Sequence, residues 1–267
     1  MKKLFDSSRP VLKPTDIVQT FTGKNLGELQ LPRRAIITFS IGDAKTLLKN
    51  THQKPIKAWS PFRILFPIVN SETIATRCYF GGPNIAALVE ELSAFGVHEF
   101  VLWGYCGGIS NDTTIGDVLV AQGALRQDGV SFHYLDDTDN FVYTNWFHKW
   151  QKKAVEAGIR PAMIWSCDAL YRETRNKIIS FKKMGIHAVE MEVASFYAVC
   201  KSKKLKGIAF LVVSDQFRQN RWQPGFLEES FREGTRKLRD FLLEQGILKK
   251  NNSRMITEMK NPHAAKA

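Results

Sequence analysis

The chain has 267 residues, 44% of them hydrophobic and 24% charged, with 18 glycines, 10 prolines and a formal net charge of +12. That length and balance match one large globular domain and exclude disordered, collagenous and small disulfide-stapled chains. The four cysteines, Cys78, Cys106, Cys167 and Cys200, stand singly without a Cys-x-x-Cys pair, which argues against a zinc cluster and makes the cytoplasm the expected location. No apolar run reaches the roughly 18 residues of a membrane helix, and the stretch from Met1 to Arg9 lacks the apolar core of a signal peptide, so no membrane partner is expected. The positive charge sits at the ends, with +4 in residues 1–34 and +4 in residues 249–267. No groove-reading element lies between them, so nucleic acid is not an expected partner. The organisation predicted is a basic N-terminal segment over 1–34, one domain over 35–248 and a basic tail over 249–267.

In chain order, Arg33 to Ser40 is a β-branched apolar run that ends at Ile41-Gly42-Asp43, the pattern of a buried strand feeding a turn. Ile64 to Val69 and Ser71 to Phe80 read as strands that stop at Gly81-Gly82-Pro83. Asn84 then caps a helix whose apolar residues Ile85, Leu88, Val89, Leu92 and Phe95 recur at helical spacing before Gly96. Phe100 to Trp103 is the next strand and runs into Gly104-Tyr105-Cys106-Gly107-Gly108. Strand, helix and strand in this order predict a parallel crossover. Further strands are expected at Val118 to Ala121, Met163 to Cys167, Ile186 to Val189 and Ile208 to Val213, the last stopping at Ser214-Asp215. Helices are expected at Trp146 to Gly158, Val193 to Leu205 and Leu227 to Gln245, with a loop over Asp136 to Asn140 and a charged, surface-facing stretch from Arg172 to Lys183. The fold class is α/β, one domain with a central mixed sheet flanked by helices.

In open parallel sheets, ligands bind beyond the carboxyl ends of the strands, where loops and helix N-termini gather polar groups on a rigid base. That rule selects Gly42-Asp43, Gly104 to Gly108, Glu190 to Glu192 and Ser214-Asp215. Each taken singly has a plain structural explanation, as a tight turn, a cap or a solvated helix start. Their joint occurrence is more specific. No set of residues has metal-ligand spacing, and no cofactor is expected.

Phe80-Gly81-Gly82-Pro83, Val89-Glu90-Glu91-Leu92, Gly104 to Gly108, Ile115-Gly116-Asp117-Val118, Asp128-Gly129, Val189 to Ala194 and Val213-Ser214-Asp215 follow one another in an order that resembles the purine nucleoside and uridine phosphorylase family. The same family includes nucleosidases that cleave methylthioadenosine and adenosylhomocysteine. The resemblance spans about residues 35 to 240 and is closer to the uridine phosphorylase branch over 80 to 134. It implies a nucleoside phosphorylase-like fold, a pentosyltransferase activity that moves ribose from a nucleoside to phosphate as co-substrate, and assembly as a homo-oligomer, from dimer to hexamer. Breaking an N-glycosidic bond builds positive charge on ribose and negative charge on the departing base. The resemblance accordingly places Glu192 on the ribose hydroxyls, with Met191 packed on the sugar and Glu190 beside it. Asp215 would act as catalytic acid on the base and favours a purine, whereas Tyr171, Leu170, Cys106 and Gly107 would border the base.

The nucleophile pocket implied by the resemblance comprises Gly42, Asp43, Lys45, Arg63, Gly104 and Tyr105. Here the sequence departs from the family pattern. Thr46 and Leu102 occupy positions of phosphate-binding arginines, and Tyr105 that of a small hydroxyl residue. The same Thr46 position carries the water-positioning glutamate of the nucleosidases. Three readings therefore stay open: phosphorolysis, hydrolysis, and a nucleoside-binding member without activity. Elsewhere, His133 alternates like an edge-strand residue, and Lys201-Ser202-Lys203-Lys204 reads as a solvated helix end.

Overall fold

The apolar runs read from the sequence lie side by side in one mixed sheet. The computed structural model describes residues 4–24, 28–49, 56–60, 63–68, 72–136, 139–219 and 221–248, and the predicted basic tail lies outside them. The elements in chain order are α1 (Pro14–Thr22), β1 (Arg34–Thr38), α2 (Ile41–Lys49), β2 (Ile56–Ser60), β3 (Arg63–Pro67), β4 (Thr73–Arg77), α3 (Gly82–Ala94), β5 (Glu99–Gly108), β6 (Val118–Gln127) and α4 (Ser131–Tyr134). They continue with β7 (Phe141–Tyr143), α5 (Phe147–Glu156), β8 (Arg160–Cys167), a 3-10 turn (Leu170–Arg172), α6 (Arg175–Lys183), β9 (Ile186–Glu190), α7 (Val193–Ser202), β10 (Lys206–Arg218), β11 (Arg221–Pro224) and α8 (Glu229–Glu244).

The predicted crossover is present. Strands β4 and β5 are joined by α3, and both pair in parallel with β1, which lies between them. Strand β5 also pairs with β10 in parallel and with β9 antiparallel, and β10, β6, β8 and β9 pair in turn. These pairings close β5, β10, β6, β8 and β9 into a ring in which β5 and β10 run one way and the other three run the opposite way. Phe100 and Leu102 pack on the face covered by α3 and α7, whereas Val101 and Trp103 pack on the face covered by α5 and α8. A strand buried on both faces has no polar alternation, which is why the run reads as continuously apolar. On the α5/α8 face, Trp150 packs with its ring centroid 5.5 Å from those of Trp146 and Phe210.

Several boundaries differ from the sequence reading, each for a structural reason. The glycine block does not leave the sheet: β5 continues to Gly108 because β10 pairs with it as far as Gln216. Ser214-Asp215 does not end its strand either, since a register shift between Val213 and Asp215 re-aims the chain and β10 runs on to Arg218 against β11. Ile41-Gly42-Asp43 is the first turn of α2 rather than a loop, capped by Ser40, whose hydroxyl accepts the Asp43 N–H at 3.2 Å. Helix α3 starts at Gly82, and Asn84 is inside it, donating to the Phe80 carbonyl at 2.8 Å. His133 lies in α4, not on an edge strand. The N-terminal segment holds α1, which packs on α3, and residues 4–17 enclose a cavity of about 790 Å³ with α3, α4 and the end of α7.

Candidate functional site

The site forms where β5 meets β10 on one side and β9 on the other. Gly107 pairs with Val189 of β9, and across the other edge it sits opposite Asp215 of β10. A methyl group built on Gly107 would lie 2.9 Å from Asp215 Oδ2 and 3.4 Å from the Phe217 ring, so only glycine lets these groups come together. Cys106, buried beside Gly107, has its thiol pushed well up, first by burial and then by the negative charges of Asp215 and Glu190. It is a packed thiol rather than a reactive thiolate.

Glu190 and Glu192 are both buried, and they do different work. Glu190 Oε2 accepts the backbone N–H groups of Glu192 at 2.6 Å and Val193 at 2.9 Å, and its Oε1 accepts the Ser166 hydroxyl at 2.5 Å. It therefore closes the first turn of α7, where orphan donors and the helix dipole favour a carboxylate. Glu192 projects from that turn, and its Oε1 accepts the Gly81 N–H at 2.6 Å. Burial and then the adjacent charge of Glu190 hold its carboxyl well above the usual carboxylate range. The start of α3 presents Gly81 correctly because Gly82 lies against α7: a methyl group there would meet Ser195 Oγ at 2.3 Å. Ser195 in turn donates to Asp128 at 2.5 Å, and Asp128 accepts the Ser131 hydroxyl at 2.6 Å.

Asp215 is satisfied at both oxygens. Oδ1 accepts the Ser214 hydroxyl at 2.7 Å and Oδ2 the indole N–H of Trp222 at 2.8 Å. Glu173, just beyond the 3-10 turn, is half-buried within reach of Asp215, and burial followed by the Asp215 charge pushes its carboxyl up to about 7. A second group stands just beyond the end of β1, beside Tyr105 inside β5. There the Tyr105 hydroxyl donates to Asp43 Oδ2, and the Tyr105 ring meets Phe231 of α8 edge-on with centroids 4.9 Å apart. Burial raises both Asp43 and Tyr105 above their ordinary values.

The stretch from residue 33 to 244, which holds both groups, matches the phosphorylase superfamily. The chain belongs to that superfamily. Among relatives of this superfamily member, a guanosine phosphorylase from Halorubrum lacusprofundi is 32% identical over 140 residues, which is 50% of this chain and 56% of that protein. The chain thus spans little more than half the length of the curated relatives it matches. Its fold resembles a solved purine nucleoside phosphorylase from Toxoplasma gondii in complex with immucillin-H (TM-score 0.71, 16% identity, 85% of this chain and 94% of the other). It also resembles a uridine phosphorylase from Vibrio fischeri (TM-score 0.68, 17% identity, 81% of this chain and 92% of the other).

In this superfamily member Cys106 and Gly107 lie between Asp215 of β10 and the end of β9 with Glu190, and Glu192 and the half-buried Met191 follow on the turn after Glu190. Gly42, Asp43 and Tyr105 form the second group, and Gly104 lies inside β5 beside Leu211. Lys45 is exposed on α2, and the side chains of Arg63 and Thr46 lie outside the described residues. Tyr171 and Leu170 are not brought in: they are 96% and 52% exposed on the 3-10 turn. Glu173, Trp222 and the Gly81 N–H were not read from the sequence. Glu173 sits in a charged stretch that looks like surface, and Trp222 reaches Asp215 only through the β10–β11 pairing. Among the described residues, no three His, Cys, Asp or Glu side chains are placed to hold a metal ion, and no helix is long and apolar enough to cross a membrane.

Proposed function

We propose that the chain cleaves the N-glycosidic bond of a purine nucleoside and transfers the pentosyl group to an acceptor. The observation that carries this reading is that β5 at Gly107 lies between Asp215 of β10 and Val189 of β9, the strand that leads through Glu190 into the turn bearing the buried carboxyl of Glu192. The names of relatives in the same superfamily, guanosine phosphorylase and purine nucleoside phosphorylase, support the reaction class. In the proposed reaction Glu192 accepts hydrogen bonds from the ribose hydroxyls, strengthened by its burial. Asp215, oriented by Ser214 and Trp222, faces the base and relays a proton to it as the bond to C1′ breaks. The Gly81 N–H keeps Glu192 in register, and Glu190 holds the turn that carries it.

The test is to incubate the purified protein with purine, pyrimidine and 5′-methylthio nucleosides and to follow free base by chromatography. Base release from a purine nucleoside, reduced by roughly 100-fold or more in Asp215→Asn, is the expected result for loss of a general acid. Release of no base from any nucleoside would refute the activity, and unchanged turnover in Asp215→Asn would remove Asp215 from it.

A further inference from the structure

The hairpin of β10 and β11 brings an aromatic side chain to Asp215. Phe217 and Trp222 stand opposite each other across the antiparallel pair, so their side chains share a face, and Asp215, two residues before Phe217, lies on that face too. The two rings are placed differently. Phe217 turns inward: its ring is 3.4 Å from where a methyl group on Gly107 would stand, and it packs against the cluster that holds Trp165 and Ile109. Trp222 stays outside. Its indole N–H donates to Asp215 Oδ2 at 2.8 Å, which fixes the ring, yet the residue is 56% exposed. A large apolar ring is thus held beside the carboxylate by its polar edge while much of its surface stays open. The 3-10 turn expected to border the base offers no equivalent, since Leu170 has no aromatic ring and Tyr171 is almost fully exposed.

A purine presents a flat π-face, and stacking on an aromatic side chain is how proteins commonly hold such a face. Resting on the nucleoside-cleavage reading, we propose that Trp222 binds the base: its N–H edge orients Asp215, and its open ring surface receives the purine. The two functions are compatible at one carboxylate. Asp215 has two oxygens with about four lone-pair sites, and Ser214 and Trp222 use one on each. Oδ1 therefore keeps a site for the base while Oδ2 stays on the indole. A base bonded at one oxygen and an indole bonded at the other are brought within aromatic contact, with centroids roughly 4.5–7 Å apart. A two-ring base covers more of the indole than a single pyrimidine ring does, so Trp222 also favours purines.

Inosine and uridine, added to the full chain, are the probes. Trp222 lies exposed on a short hairpin, so Trp222→Phe and Trp222→Leu should keep the fold, which thermal unfolding checks. Inosine is expected to quench the fluorescence of the wild type. Trp103, Trp146, Trp150 and Trp165 are buried, and the quench should vanish in Trp222→Phe. By calorimetry that variant should still bind inosine within about 3-fold of the wild type, because a phenyl ring also stacks. In Trp222→Leu the inosine dissociation constant should rise about 5- to 150-fold, the worth of one base–aromatic stack, and that of uridine by less. In turnover, Trp222→Phe should lower kcat with KM little changed, since Asp215 loses the indole N–H, whereas Trp222→Leu should raise KM as well. A quench that persists in Trp222→Phe, or an inosine affinity unchanged in Trp222→Leu, overturns the proposal. Equal losses of kcat at unchanged KM in both variants also overturn it, because they make Trp222 a support of Asp215 alone. A uridine affinity that falls as far as that of inosine overturns the preference for purines. If no nucleoside is cleaved but inosine binding depends on Trp222 as described, the cleavage reading falls and the base-binding role stands. Inosine binding weaker than about 10 mM in the wild type overturns that role.

Discussion

Gly107→Ala tests the geometry of the site directly. The added methyl would lie 2.9 Å from Asp215 Oδ2 and 3.4 Å from both Phe217 and Val189, so the Asp215 carboxylate has to move. Strands β9 and β10 bracket the position on both sides, which leaves little room for the backbone to give. Overpacking of this kind costs about 1–3 kcal/mol. Moving Oδ2 off the Trp222 indole, now at 2.8 Å, forfeits about 1 kcal/mol more. A loss of about 2 kcal/mol corresponds to a fall in Tm of roughly 4–8 °C for a domain of this size. The same displacement takes Asp215 away from the base, and each 1.36 kcal/mol of lost transition-state stabilisation is about tenfold in rate. A decrease in kcat/KM of about 10- to 100-fold is therefore expected. Gly129→Ala is the control, because its methyl would meet nothing closer than Asp168 Oδ2 at 3.5 Å. Urea and thermal unfolding with base release, measured on both variants, check the reasoning. It fails if Gly107→Ala matches the wild type or is indistinguishable from Gly129→Ala.

Further expectations follow from the same contacts. Tyr105→Phe takes a donor from buried Asp43 and is expected to destabilise the fold by about 1–3 kcal/mol in urea titrations. Asp43 is already raised above 3.8, so the variant's deficit grows as pH rises through its folded pKa; a pH-independent deficit would contradict this. Glu173, raised from 4.5 to about 7, keeps its proton in the folded state where the unfolded chain has lost it. Its contribution to stability is full below pH 4.5 and is lost as pH rises from there to about 7, and Glu173→Gln should flatten that slope in pH-dependent unfolding. Asp215→Asn removes a charge that raises Glu173, so carboxyl carbon NMR should show Glu173 titrating at lower pH, and an unchanged titration would refute the pairing. Trp150→Ala is expected to cost about 3–5 kcal/mol by denaturant unfolding, because the indole is buried among Trp146, Phe210 and Phe241.

The elements legible in the sequence are those whose local pattern matches their environment. The helices α3, α5, α7 and α8 and the strands β1, β8, β9 and β10 were read from periodicity and apolar runs, because burial on one stripe or on both faces leaves that imprint. Their ends were less legible. The chain stays in the sheet through Gly104 to Gly108 and through Ser214-Asp215 because β5 and β10 pair with each other, and a strand's last residues are set by its neighbour rather than by their own propensity. The short elements β7, β11 and α4 were missed for the same reason.

What the sequence by itself determined is the chemistry on offer: Glu190, Glu192, Asp215, the glycines of β5 and the missing arginines at Thr46 and Leu102, each next to an apolar run that had to be a core strand. Only the tertiary structure decided how these residues divide the work. Strand β9 runs against β5, so Glu190 reaches Cys106 and Gly107 because the five strands close into a ring, not because their carboxyl ends share one edge. Closure makes Glu190 the support of α7, sets Glu192 on the Gly81 N–H, turns Glu173 toward Asp215 and seals Asp43 with Tyr105. These are contacts between residues tens of positions apart. Burial and hydrogen bonding fix them once the chain is packed, and no local pattern encodes them.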